Sequence, residues 1–361
     1  MRTSTAKPAD LPDPRWGTVS KRREQMATSH ELRFELVPGW EKLPAGMSHL
    51  DAPGVGVDSH DRVYIFGRQQ SLVFVYERDG TYVTSWGEGF WTTTHGLTVG
   101  PDDMLYLTDS GGHSVEKFTT DGRHVQSFGP KGITSDTGYV KVFPDQARRS
   151  ASIQHAAGPY NMPCTVAVAP DGVVYVADGY GNACVHRFAP DGTYLGGFGG
   201  PGTGPGEFNL PHGIAIDSHG RVLVADRENE RVQFFSATGE YLFEWTDLQR
   251  PTQVRVGPGG DVYVSELHWK PGMQSFKTGK IREAHASRMS VFAADGTLRA
   301  RWGQSAIDDA TLPGNFTAPH DIAVDSHGDV YIGEVTFAEF GRIGLAGPDC
   351  HTVQKFRRIE G

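Results

Sequence analysis

Cysteine is scarce in this chain of 361 residues: there are three, Cys164, Cys184 and Cys350. An odd, small number excludes a disulfide framework and implies reduced thiols. Cys164 and Cys184 fall in one repeat, but no bond between them is expected. No apolar run reaches the ~18 residues of a membrane-spanning helix. Residues 1–10 lack the apolar core of a secretion signal, so a cytoplasmic location is expected. Positive charge is not in excess either. The 34 Lys and Arg face 43 Asp and Glu, a net charge of −9, so nucleic-acid binding lacks its electrostatic footprint. No membrane partner is indicated.

Glycine and proline are plentiful instead, at 46 and 22 residues, and punctuate short β-branched runs. That composition belongs to a turn-dense β protein rather than a low-complexity chain. The pattern is clearest at Pro211-His-Gly-Ile-Ala-Ile-Asp-Ser-His-Gly-Arg-Val-Leu-Val-Ala-Asp226. A charged turn follows, then a third strand to Phe235, a Thr-Gly turn and a fourth strand ending at Trp245. The same unit begins again near Ala52, Thr94, Pro163, Pro251 and Pro319. Most units close on Trp-Gly or Phe-Gly, as at Trp86, Phe128, Phe198 and Trp302. Alternating apolar runs between Gly and Asp turns read as antiparallel strands. Six four-stranded units imply an all-β, six-bladed propeller. Length alone would allow two or three domains, but one ring uses nearly the whole chain. Residues 1–32 read as a polar arm and 33–361 as a single propeller domain. The last unit lacks a fourth strand, and the segment 32–38 is expected to supply it and close the ring. Two insertions, 130–160 and 268–287, are candidates for functional loops.

Aligning the first strands places Pro53, His95, Cys164, His212, Thr252 and His320 in one slot. Histidine supplies only 15 of 361 residues, yet it fills every second place. In a six-bladed ring such places lie about a third of a turn apart, so three imidazoles face one axis. Channel-facing histidines bridged by water would satisfy the same pattern. The set of three favours a metal, and three neutral imidazoles with an open position suit catalytic zinc best among zinc, copper, iron and nickel. His60, His219 and His327 also recur, in Asp-Ser-His turns. They fall at the opposite channel end and unevenly around the ring, so they read as turn residues.

Second strands run back to the histidine end, where they finish at Asp109, Asp178, Asp226, Glu266 and Glu334. Residues just beyond them therefore surround the same mouth: Arg68, Tyr180 and Arg227. Each has an ordinary reading, a surface ion pair for the arginines and blade packing for the tyrosine. Together beside a dication, two arginines call for an anion between them, and a substrate carboxylate fits. The tyrosine suits a proton-transfer role.

At these residues a resemblance becomes specific. His95-Gly-Leu97, Asp178-Gly-Tyr-Gly-Asn182, Pro211-His212 with Asp226-Arg-Glu-Asn-Glu-Arg231, and Pro319-His-Asp-Ile322 resemble the NHL-repeat propellers, and among them the peptidyl-α-hydroxyglycine α-amidating lyases. The likeness spans roughly residues 33–361. It implies zinc on His95, His212 and His320, Arg68 as substrate-carboxylate anchor, Tyr180 as base and Arg227 as a further active-site arginine. It also implies a structural calcium on Asp321 and the backbone oxygens of Val55 and Leu97. The chain departs from the family at Ala318, where a methionine is usual, and at Gly181, where a disulfide cysteine is usual. The expected activity is cleavage of the C–N bond of an N-(α-hydroxyalkyl) amide carrying a carboxylate, to a glyoxylate-like carbonyl and an amide. A metal hydrolase of a lactone, ester or amide is the alternative on the same site, and a non-catalytic NHL binding module the third.

Overall fold

The computed structural model describes residues 32–359 except 144, 304, 305 and 348; the polar arm therefore lies outside the described residues, save Leu32. Each repeat forms one antiparallel four-stranded sheet. In the fourth blade Pro211–Ile216, Val222–Asp226, Arg231–Phe235 and Tyr241–Trp245 lie in chain order from axis to rim. The inner three strands are almost wholly buried, whereas the outer one is partly to fully exposed along its length. Inner strands accordingly read as largely apolar runs, as strands covered on both faces do. Six such sheets form the all-β, six-bladed propeller, and the first strands of successive blades pack side by side around a closed ring.

The sixth blade closes that ring with strands from both ends of the chain. Arg33–Leu36 pairs antiparallel with Val353–Ile359, in the register Arg33↔Ile359 to Leu36↔Phe356. Phe34 stacks on Trp302 of the fifth blade at 4.7 Å. The expected completion of the last blade is thus the observed one. Pairing the two ends removes a sheet edge that would otherwise be open.

One local irregularity matters for the site. In the second to sixth blades the first strand loses register at the aligned slot, at Thr94/Leu97, Pro163/Thr165, Pro211/Gly213, Pro251/Gln253 and Pro319/Asp321. A bulge leaves its extra residue out of the ladder and re-aims its side chain. Among the described residues, no helix is long and apolar enough to cross a membrane. Cys164, Cys184 and Cys350 are free thiols.

Candidate metal centre and active site

The bulges turn His95, His212 and His320 onto the axis. Their ring centroids form a nearly equilateral triangle, 4.9, 4.6 and 4.7 Å on its edges. The nitrogens they offer as ligands lie within 4.8 Å of one another. All three residues are buried. His60, His219 and His327 are exposed in their turns.

The other three slots hold the imidazoles in place. His95 Nδ1 lies 2.6 Å from Cys164 O, His212 Nδ1 2.6 Å from Thr252 O and His320 Nδ1 2.8 Å from Pro53 O. A carbonyl only accepts, so each Nδ1 carries the proton and each Nε2 keeps its lone pair. Close carbonyl approach needs room: a Cβ on Gly96 would lie 2.5 Å from Cys164 O, and one on Gly213 2.8 Å from Thr252 O. Burial pushes His95 down to about 3, with Arg68 adding to the shift. Burial and then a neighbouring histidine push His212 and His320 well below the ordinary imidazole value. The triad is therefore neutral, the form a metal requires.

The residues present fit a transition metal. Tyr180 Oη lies 3.2 Å from His95 Nε2 and 3.0 Å from His212 Nε2. One hydroxyl proton can serve only one of these acceptors. The pocket thus gathers more buried lone pairs than it has protons to match, and a cation resolves that excess. Carbonyl-fixed tautomers are the usual support of ligating histidines.

Tyr180, Arg227 and Arg68 converge on the same mouth. The Arg227 guanidinium carbon lies 5.6 Å from the Tyr180 ring centroid. Arg227 Nε donates to Glu228 Oε1 at 2.9 Å, and Arg250 Nη2 donates to the same oxygen at 3.1 Å. Burial would raise the Glu228 carboxyl; Arg250 and then Arg227 hold it below its ordinary value. Arg68 Nη1 donates to Asp51 Oδ2 at 3.1 Å and is partly exposed, so it is aimed yet reachable. Burial raises the Tyr180 phenol, while Arg227 pulls it the other way.

Glu228 and Arg250 also form the base of a cavity of about 820 Å³, walled by Arg148 from the first insertion and Trp269 and Lys270 from the second. The sequence reading missed Arg250. Its signal was faint, since only its place before Pro251 marks it in the sequence.

The calcium expected on Asp321, Val55 and Leu97 does not fit. Arg255 Nη2 donates to Leu97 O at 2.8 Å and to Asp321 Oδ1 at 3.1 Å. Gln253 Nε2 and the Ile322 N–H donate to the same carboxylate oxygen, both at 2.8 Å. Val55 meets Asp321 through its N–H, at 3.2 Å. A fixed guanidinium thus takes the acceptors a calcium would need, and a dication beside it would be repelled. The signal was present in the repeat. Three residues past the slot the other blades have Gly56, Thr98, Ala167, Ala215 and Ala323, and the fifth has Arg255.

Fold and site together define a six-bladed propeller with a buried histidine triad on its axis. The NHL repeat model matches residues 160–188 and 208–235. The chain is similar to "NHL repeat-containing protein 3" of Homo sapiens, 28% identical over 326 residues, covering 85% of this chain and 83% of that protein. It is also similar to "Probable peptidyl-alpha-hydroxyglycine alpha-amidating lyase pgal-1" of Caenorhabditis elegans, 29% identical over 251 residues, covering 63% of this chain and 65% of that protein. Among solved structures, one titled "Streptogramin B lyase structure" superposes with a TM-score of 0.54 at 12% identity, over 91% of this chain and 97% of that one. That last likeness is one of fold.

Proposed function

We propose that this chain is a zinc-dependent carbon–nitrogen lyase acting on an N-(α-hydroxyalkyl) amide that carries a carboxylate, with His95, His212 and His320 as the zinc ligands. One observation carries the reading: three neutral imidazoles present their lone pairs to one buried point, beside a phenol and two arginines. The name of the nematode relative points to the same chemistry.

A zinc held there supplies Lewis-acid polarisation of the substrate hydroxyl. Arg68, braced by Asp51, binds the substrate carboxylate. Arg227, braced by Glu228, keeps positive charge against Tyr180. Tyr180 accepts the hydroxyl proton as the C–O bond becomes a carbonyl and the C–N bond breaks. The departing nitrogen takes that proton back from Tyr180 and leaves as an amide, which regenerates the base; with an α-hydroxyglycine the carbonyl product is glyoxylate. Because burial raises the phenol while Arg227 and Arg68 lower it, Tyr180 would act as base with the help of the positive charge that a bound cation would add. The same upward shift favours a second reading, a hydrolase in which a metal-activated water needs no tyrosine base.

Metal analysis and product analysis test both. His212→Ala is expected to hold one zinc per chain fewer than the wild type, with turnover down at least ~100-fold. Tyr180→Phe should keep the metal and lose turnover ~100-fold or more. Full turnover in that variant removes the base role. Solvent ¹⁸O appearing in a carboxylic acid product, in place of a carbonyl and an amide, establishes the hydrolase instead.

A further inference from the structure

A second cluster lies inside the third blade, away from the histidine triad. Asp178, Cys184 and His186 are all buried, and the atoms they offer as ligands lie within 4.8 Å of one another. Cys184 Sγ is 3.4 Å from His186 Nε2, which is 3.2 Å from Asp178 Oδ2. Tetrahedral zinc, with bonds of about 2.3 Å to sulfur and about 2.0–2.1 Å to nitrogen or oxygen, has ligand-to-ligand edges of about 3.3–3.6 Å.

The fourth and fifth blades carry an arginine where this one has a thiol, whereas the second sets Ser114 opposite Asp109. Asp178 faces Cys184 in the same register in which Asp226 faces Arg231 and Glu266 faces Arg288. Those arginines pair with their carboxylates at 2.9 and 2.8 Å. In the third blade the arginine is replaced by a thiol, so no permanent cation stands there. Both oxygens of Asp226 and of Glu266 accept hydrogen bonds. Asp178 Oδ2 accepts from the Asn161 N–H and from Asn182 Nδ2, both at 2.9 Å, but Oδ1, fully buried, has no hydrogen-bond partner. A buried charge left unpaired is costly.

We propose that Asp178, Cys184 and His186 form a second, structural site for a divalent transition metal of the zinc class, occupying the place of the missing arginine. A dication with one thiolate and one carboxylate is charge-neutral, which suits a buried site. The unpartnered Asp178 Oδ1 can chelate the same ion, the two carboxylate oxygens sharing one corner of the tetrahedron, and a water takes the remaining corner. Tyr194 Oη, 3.3 Å from His186 Nδ1, can accept its N–H and free Nε2 for the ion. Binding forms the metal–sulfur bond and releases the thiol proton of Cys184. The ion ties the second and third strands of the blade, as Arg231 and Arg288 do in theirs.

The test is cobalt substitution during expression of the full chain, read by elemental analysis and absorption. Thiolate ligation gives an intense near-ultraviolet charge-transfer band that an all-histidine site cannot produce. The wild type should hold two cobalt ions per chain and show the band. His95→Ala with His212→Ala should lose one ion and keep the band, so failure of the lyase reading leaves this site intact. Cys184→Ser should lose the band and the other ion. His186→Gln copies the Asp226–Gln233 pairing of the fourth blade, 3.2 Å, and should fold normally while losing that ion. A folded wild type holding one cobalt and no band overturns the proposal, as does an unchanged band in Cys184→Ser.

Discussion

Arg255 shows how one side chain settles what a motif leaves open. It replaces a bound ion by a covalently attached cation, spending its guanidinium on Asp321, Leu97 O and Thr98 Oγ1. Asp321 is buried, so removing its partner strands a charge. Arg255→Met should therefore lose about 3–5 kcal/mol in urea unfolding. Added calcium should raise the Tm of that variant and leave the wild type unmoved; a calcium-stabilised wild type would show that the arginine does not fill the role. At the same scale, the metal site depends on atoms that no side-chain inventory contains. The carbonyls of Pro53, Cys164 and Thr252 set the histidine tautomers, so these non-histidine slots matter for their backbone rather than for their residue type.

At the level of elements, the repeat is a strand ladder with one deliberate fault. The bulge at the slot separates the axis-facing residue from the alternation that governs the rest of the strand, which is why His95, His212 and His320 point inward from strands whose other residues pack between blades. The ring itself is held by an element far away in sequence. Phe34 anchors the closing strand through Trp302 and, edge-on, Tyr263 at 6.3 Å. Phe34→Ala should cost about 2 kcal/mol, less than a fully buried phenylalanine because this one is half-exposed. Urea unfolding measures it, and an unchanged midpoint would mean that the closing strand carries no stability.

Across the whole molecule, pH acts through groups that folding buries in the neutral state. Burial, with Lys270 and then Arg250 assisting, pushes His268 down to about 3. The unfolded chain therefore takes up this proton first, near about 6.5. Stability from His268 is complete above that value and is lost as pH falls toward about 3, at about 1.4 kcal/mol per unit. His268→Gln should shrink the stability difference between about pH 7 and about pH 5 by about 2 kcal/mol; urea titrations at the two pH values read it, and an unchanged difference assigns the acid sensitivity elsewhere. By itself the sequence determined the blade period, the blade number, the closing strand and the alternation of His95, His212 and His320, because each is a regularity along the chain. Tertiary structure alone decided that Arg255 reaches Asp321 and Leu97 O, that Glu228 joins Arg227 to Arg250, and that the two insertions wall one cavity. Those facts rest on contacts between blades, such as His320 with Pro53 across 267 residues, and a repeat pattern carries no record of which unlike residues meet once the ring is closed.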